Sequence, residues 1–380
     1  MAKAIRGKVT IQKRKAIKIE RRKPVKKPSK KAEGAKAITR SHFALLKHRG
    51  NPIIRPSQKN QWESWQTFNP AALFEDGKVH LVYRAIGSDG ISRLGYAASS
   101  DGISLDERHE KPIFELIDPV ISESAESAYF SGGSWGGAED PRITKLDDKV
   151  HMLFVAFNGL PRLALVSIKW EDFLNKRWKW GGVKIISPPG LIDKSGCLFP
   201  ERINGKYAIL HRIFPNILLD FVDDLDFPEG TYLSGDKEVW GKNSIKVRKG
   251  QWDSLKIGPG APPIKTDHGW LLIYYGVDEK DRRYKIGAML LDLKNPRKVL
   301  ARTKKPVLEP VEWYENVGHK HGVAYPCGAV VVGKNLYVYY GGADSYVCVA
   351  SADLKKFLDD LIKSENPKLA RVPAKRHAKS

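Results

Sequence analysis

From residue 66 onward the chain repeats one arrangement: a polar turn, a run rich in Val, Ile, Leu, Tyr and Phe, a gap, and a second such run closing on Ser or Asp. The first runs are Asp76–Arg84, Asp147–Val155, Asn204–Arg212, His268–Gly276 and Lys334–Gly341. The second are Leu94–Asp101, Leu163–Lys169, Ile217–Leu225, Ile286–Leu293 and Val347–Leu354. Turn dipeptides such as Asp76-Gly77 and Asn204-Gly205 supply the positive φ of a tight hairpin, so each pair of runs predicts antiparallel strands. Gly205, Gly269 and Gly333 fall 64 residues apart. Five copies at that period, with extra short β segments such as Pro112–Glu115 and Pro306–Glu309, predict an all-β five-bladed β-propeller. A two-domain sandwich is the alternative, but it does not explain equal spacing. Helix is predicted at the chain end, where Ala352–Ile362 has apolar residues at helical spacing. Ala44–Lys47 reads as a lead-in helix turn and Asn51–Pro56 as an edge strand, with the segment after Ser41 placed to supply a closing strand.

Composition adds limits. The chain of 380 residues is 42% hydrophobic and 28% charged, and no apolar run approaches the roughly 18 residues of a membrane span. Cys197, Cys327 and Cys348 are widely separated and lack the paired spacing of a zinc site or disulfide framework. They fit a reducing compartment, and without a secretory signal the expected location is cytoplasmic.

The net charge of +22 is concentrated at the ends: residues 1–40 carry 16 Lys/Arg against Glu20 and Glu33, and residues 368–380 add five basic residues and no acid. The body between is nearly neutral, which weakens a nucleic-acid-binding reading of the folded part. Residues 1–40 read as a disordered basic arm, 41–365 as the propeller and 366–380 as a basic tail. The arm suits non-specific contact with a polyanion, or is a solvated tail.

One segment stands apart from the strand pattern as a loop: Ser131-Gly-Gly-Ser-Trp-Gly-Gly-Ala-Glu139-Asp140-Pro141-Arg142. Glycines and a proline before paired acids and an arginine can hold a carboxylate in a fixed pose, or can form a salt-bridged turn. Basic residues that could gather around it are Arg162, Lys194, and His211 with Arg212. Arginine offers two parallel donors to a phosphate, lysine a point charge and histidine a further donor.

Gly137-Ala-Glu-Asp-Pro-Arg142, Asn69-Pro-Ala71 ahead of Tyr83-Arg84, Leu198-Phe-Pro-Glu201 followed by His211-Arg212, Trp252-Asp253 leading into Gly258–Ile264, Tyr274–Asp278 and Tyr325–Gly328 occur in order along the chain. With these motifs the chain resembles glycoside hydrolase family 130, the inverting β-mannoside phosphorylases and their hydrolytic relatives, from about Asn51 to Leu354. The resemblance implies a five-bladed propeller, Asp140 as general acid, and Arg162, Lys194 and His211 as phosphate ligands. It also implies sugar contacts from Asn69, Arg84, Glu139, Arg142 and Asp278, with Tyr83, Trp135 and Tyr325 as walls and Asp344 and His321 in second rank. Phosphorolytic members often carry a further arginine after the equivalent of Phe157-Asn158, where this chain has Gly159-Leu-Pro.

An inverting enzyme needs an acid on the leaving oxygen and a nucleophile on the opposite face of the sugar. Phosphate arrives already anionic, whereas water requires a carboxylate base, for which Glu201 and Asp278 are the applicants. The expectation is an inverting phosphorylase that uses inorganic phosphate as co-substrate, with no cofactor and no metal, acting on β-mannoside oligosaccharides. The rivals are an inverting β-mannosidase and a non-catalytic glycan-binding propeller anchored by its arm. Linkage, acceptor and oligomeric state stay open, a homo-oligomer included.

Overall fold

The computed structural model describes residues 44–116, 132–233, 241 and 243–365; the expected basic arm and tail lie outside them. The described chain is nearly all β. After β1 (Leu46–Lys47) come five successive antiparallel units, the first two joined into one sheet by a short parallel pairing at residues 91–92 and 136–137. The first holds β2 (Gln66–Glu75), β3 (Lys78–Ile86), β4 (Ile91–Ser99) and β5 (Glu107–Arg108). The second holds β6 (Gly136–Leu146), β7 (Lys149–Phe157), β8 (Pro161–Lys169) and β9 (Lys184–Ile185). The third holds β10 (Lys194–Leu198), β11 (Tyr207–Ile213), β12 (Asn216–Val222) and β13 (Ser244–Ile245). The fourth holds β14 (Lys256–Pro259), β15 (Ile264–Thr266), β16 (Gly269–Val277), β17 (Tyr284–Leu291) and β18 (Val299–Arg302). The fifth holds β19 (Ala324–Val332), β20 (Asn335–Gly342) and β21 (Tyr346–Asp353).

All ten β runs read from the sequence correspond to strands, the second and third main strands of each unit. The outer segments differ: Phe114 and Leu308 make isolated bridges to Leu94 and Ile286, while the outer strands are β5 and β18. Ala44–Lys47 is not a helix turn. Its last two residues form β1, which pairs antiparallel with β21 and completes the fifth unit with a strand from the other end of the chain.

Apolar side chains alternate to both faces of each sheet, so every unit has two faces to bury. Val82 and Leu94 of the first unit pack with Ile143 and Phe154 of the second, and Leu153 and Leu163 of the second pack with Leu198 and Ile209 of the third. Leu210 and Ile217 continue to Leu272 and Met289 of the fourth, and Ile273 and Ile286 to Val338 and Tyr340 of the fifth. Tyr339 and Val349 of the fifth then meet Leu81 and Tyr83 of the first. Each fully buried side chain of this size contributes about 1.5–3 kcal/mol.

Among the described residues, helix is confined to α1 (Trp170–Leu174), α2 (Leu354–Glu365) and two short 3-10 turns. The apolar face of α2, with Phe357, Leu358 and Leu361, covers the core shared by the fourth and fifth units.

Candidate active site

The segment around Asp140 is strand rather than loop from Gly136 onward: β6 is the first strand of the second unit. The ladder to β7 shifts between Glu139 and Arg142, a bulge at which Asp140 takes φ +48°. The first unit repeats the device, with a shift between Phe68 and Ala71 and Asn69 at φ +48°. In the third, the shift between Lys194 and Cys197 carries Ser195 at φ +60°. Asn and Asp tolerate this region better than other side chains, and the bulge re-aims the side chain out of the pleat. Gly341 lets β20 pass close by, since a Cβ there would lie 2.0 Å from Asn69 Oδ1.

Asp140 is buried, and its Oδ1 accepts from Asn69 Nδ2 at 2.7 Å and Arg84 Nη1 at 3.1 Å. Arg84 Nη2 also donates to Glu139 Oε1 at 3.1 Å, and its Nε to Ser92 Oγ at 2.8 Å. Glu139 Oε2 lies 3.7 Å from Lys194 Nζ. Burial alone would raise the Asp140 carboxyl, but Arg84, Arg142 and Lys194, with the Asn69 hydrogen bond, hold it below the ordinary aspartate range. Arg142 does not pair with either neighbouring carboxylate. It donates to the carbonyls of Gly260 and Asp140 and to the Tyr325 hydroxyl, tying three units together.

These groups open onto a cavity of about 530 Å³, a size ordinary for a small-molecule site. Phe68, Asn69, Arg84, Asp140 and Asp344 form part of its lining, with Tyr275, Tyr284 and Tyr325. The tyrosine rings pack together, Tyr275 to Tyr325 at 4.7 Å and Tyr284 to Tyr325 at 5.9 Å. Burial, with Asp140 nearby, raises the Asp344 carboxyl above the aspartate range.

The lining is also strongly cationic: besides Arg84 it includes Lys194, Arg212, Lys256, Arg282 and Lys320. Arg212 is buried, and its Nε has no hydrogen-bond partner among the described residues. Lys256 Nζ donates to Tyr284 Oη at 2.7 Å, and Lys320 Nζ stands 4.9 Å from the centre of the same ring. Burial, reinforced by Arg212, Lys320 and Lys194, pulls the Lys256 ammonium down to about 6. These cations outnumber the two carboxylates on the same lining, Asp140 and Asp344, and leave the space electropositive.

The sequence-derived residues divide accordingly. Asp140, Asn69, Arg84, Lys194 and Tyr325 line the cavity, with Asp344 from the second rank; Glu139 and Arg142 brace it from behind. Arg162 does not line it, and its guanidinium donates to the Ser187 carbonyl at 3.1 Å. His211 is fully buried, its Nδ1 2.8 Å from Asp193 Oδ2 and its Nε2 3.1 Å from Asp220 Oδ2. Both ring nitrogens are thereby engaged. Side chains alternate along a strand, so Arg212 rather than His211 faces the cavity.

Asp278 accepts from Ser254 Oγ and the Lys280 amide in a turn off the cavity, and Glu201 pairs with Lys265 at the surface. Tyr83 is core, its hydroxyl donating to Glu63, and neither Trp135 nor His321 is on the lining. Arg212 had been grouped with His211; Lys256, Arg282 and Lys320 had no motif to announce them.

A family profile described as β-1,4-mannooligosaccharide phosphorylase matches residues 44–363. A 1,2-β-oligomannan phosphorylase of Thermoanaerobacter sp. (strain X514) is 38% identical over 317 residues, 80% of this chain and 95% of that protein. A β-1,2-mannobiose phosphorylase from the same organism is 37% identical, covering 83% and 99%. Among solved structures, the β-1,2-mannobiose phosphorylase of Listeria innocua in complex with β-1,2-mannobiose superposes with a TM-score of 0.66 at 26% identity, covering 83% of this chain and 99% of that one.

Proposed function

The chain belongs to glycoside hydrolase family 130, and from that membership we propose an inverting phosphorylase. It cleaves the terminal β-mannosidic bond of a manno-oligosaccharide with inorganic phosphate, giving α-mannose 1-phosphate and a saccharide shortened by one residue. The β-1,2 linkage is the reading favoured by the relatives at 38% and 37% identity. The five units are the blades of a five-bladed propeller, and the cavity is its axial site. Three buried, unpaired cysteines agree with a cytoplasmic setting.

The observation that carries phosphorolysis is the crowding of Lys194, Arg212, Lys256 and Lys320 at one cavity, where their repulsion falls if an anion sits among them. Asn69 and Arg84 hold the mannosyl ring, and Asp140 directs a proton to the leaving oxygen, by way of a ring hydroxyl where the carboxyl does not reach it. Hydrogen phosphate attacks the anomeric carbon from the opposite face. The carbon–oxygen bond to phosphate forms as that to the leaving saccharide breaks, and the proton gained by the leaving oxygen equals the one hydrogen phosphate gives up. Phosphate also explains how an aspartate held ionised by its cationic neighbours can act as an acid, because its negative charge offsets the cations that depress Asp140.

Hydrolysis would need a second carboxylate as base. Glu201 and Asp278 are off the cavity, which leaves Asp344 among the described residues. Incubation with β-1,2-mannobiose, with and without phosphate, separates the two reactions. The expected product is α-mannose 1-phosphate, formed only with phosphate; phosphate-independent release of mannose would overturn the reading.

A further inference from the structure

The cavity lining is not uniform in polarity. Asn69, Arg84 and Asp140 are almost wholly buried, whereas Leu160, Pro161, Ile192 and Phe214 form an apolar stretch of the same lining. Ile192 is 50% exposed and Phe214 58%, two of only nine large hydrophobic side chains so exposed among the described residues. They come from three separate segments: Leu160 from the β7–β8 turn with Pro161 at the start of β8, Ile192 from the approach to β10, and Phe214 from the β11–β12 turn. Isolated exposed apolar residues are ordinary, but several meeting at the mouth of a charged cavity mark a binding surface.

We infer that this rim is the seat of the acceptor chain: the mannosyl residues beyond the cleaved bond leave the deep site across it, and one of them stacks its apolar ring face on Phe214. The inference rests on the phosphorylase reading of the same cavity and adds a chain-length class to it, a preference for oligomannosides of three or more residues over the disaccharide. The mannosyl unit to be transferred and the phosphate need the buried polar and cationic groups. The part of the substrate that extends out of the cavity is therefore the saccharide that departs. A pyranose has an apolar face of axial C–H bonds and a rim of hydroxyls. Phe214 offers the complementary ring, Ile192 and Leu160 widen the platform, and Arg282 on the same lining supplies donors for the hydroxyls.

The test is the kcat/KM for β-1,2-linked mannobiose, mannotriose and mannotetraose at saturating phosphate, for the full chain and for Phe214→Ala and Phe214→Trp. The wild type is expected to gain with chain length. Phe214→Ala should lose about fivefold on the tetraose, the size of one aromatic stacking contact, and distinctly less on mannobiose. Phe214→Trp should keep the gain, which a merely structural role would not require. A wild type indifferent to length, an equal loss on all three substrates, or a changed oligomeric state in Phe214→Ala would overturn the inference, the last by making the rim a contact between copies. Mannose released without phosphate would instead overturn the phosphorylase reading, while the length dependence of that reaction would still report on the rim.

Discussion

Asp140 concentrates the residue-scale argument. Its backbone at φ +48° stores about 1 kcal/mol or more of strain, held by hydrogen bonds from Asn69 and Arg84 and by the lock of Arg142 on its carbonyl. Asp140→Asn keeps size and tolerance of that backbone but removes the proton, so kcat should fall roughly 10²–10⁴-fold with the thermal midpoint nearly unchanged. Steady-state rates beside a melting curve check this. The cations make a second prediction. Burial and the neighbouring cations pull the Lys256 ammonium down to about 6, so it is charged below that pH and neutral above it. The phosphate KM, expressed on the dianion, should be lowest near or below pH 6 and rise as pH increases. Lys256→Met should give a high and flat profile, and Arg212→Ala a raised phosphate KM with the dependence retained. Asp140 and Arg84 stand inside motifs that can be read along the chain, whereas Lys194 stands in none of them. Arg162 and His211 stand off the cavity lining, because a basic residue beside a strand end has two faces to choose from, and motif order does not say which one the cavity takes.

At the scale of elements the cavity is made by two recurring devices. Inner-strand bulges on β2, β6 and β10 position Asn69, Asp140 and Ser195, and Asn-Pro or Asp-Pro marks the first two in the sequence. The turns between the second and third main strands of the later units bring Gly159, Phe214, Arg282 and Asp344 to the same lining. Strand pairs were readable from apolar periodicity and turn glycines. The inner strands were not, because a bulge breaks alternation and the glycine-rich approach to β6 imitates a loop. His211 belongs to this scale. Pinned between Asp193 before β10 and Asp220 on β12, it is raised to about 10, the two carboxylates outweighing the burial that would lower it. With the folded value above the unfolded one, its stabilisation is complete below about pH 6.5 and is lost as pH rises through about 10. His211→Ala leaves two buried carboxylates without their cation and should cost roughly 3–5 kcal/mol. Urea unfolding at pH 6 and pH 9.5 checks it: the gap between wild type and variant should narrow at the higher pH.

For the whole molecule the question is what the two ends of the chain do. The sequence concentrates its positive charge in residues 1–40, and the family match begins at residue 44. A protein lacking residues 1–40 should therefore keep its kcat on small oligosaccharides and its melting midpoint, whatever polyanion contact the arm makes. The next ten residues differ. Leu45 is buried in the core between the fourth and fifth units, and Leu46–Lys47 pair with β21. Lys47 holds the fully buried Glu315. No periodicity could announce a strand of two residues; its partner lies three hundred positions away, and the need for closure was the only hint. Removing residues 1–50 would expose the edge of β21, empty the Leu45 site and strand Glu315 without its cation. Leu45 alone is worth about 2 kcal/mol or more, the orphaned carboxylate about 3 kcal/mol, and an open edge invites pairing between chains. Loss of about 5 kcal/mol is comparable to the whole stability of many folded domains, so this truncation should unfold or aggregate where the shorter one stays native. Scanning calorimetry and size-exclusion chromatography of the two proteins side by side decide it, and a stable, active protein lacking residues 1–50 would mean that the ring of units holds without its closing strand.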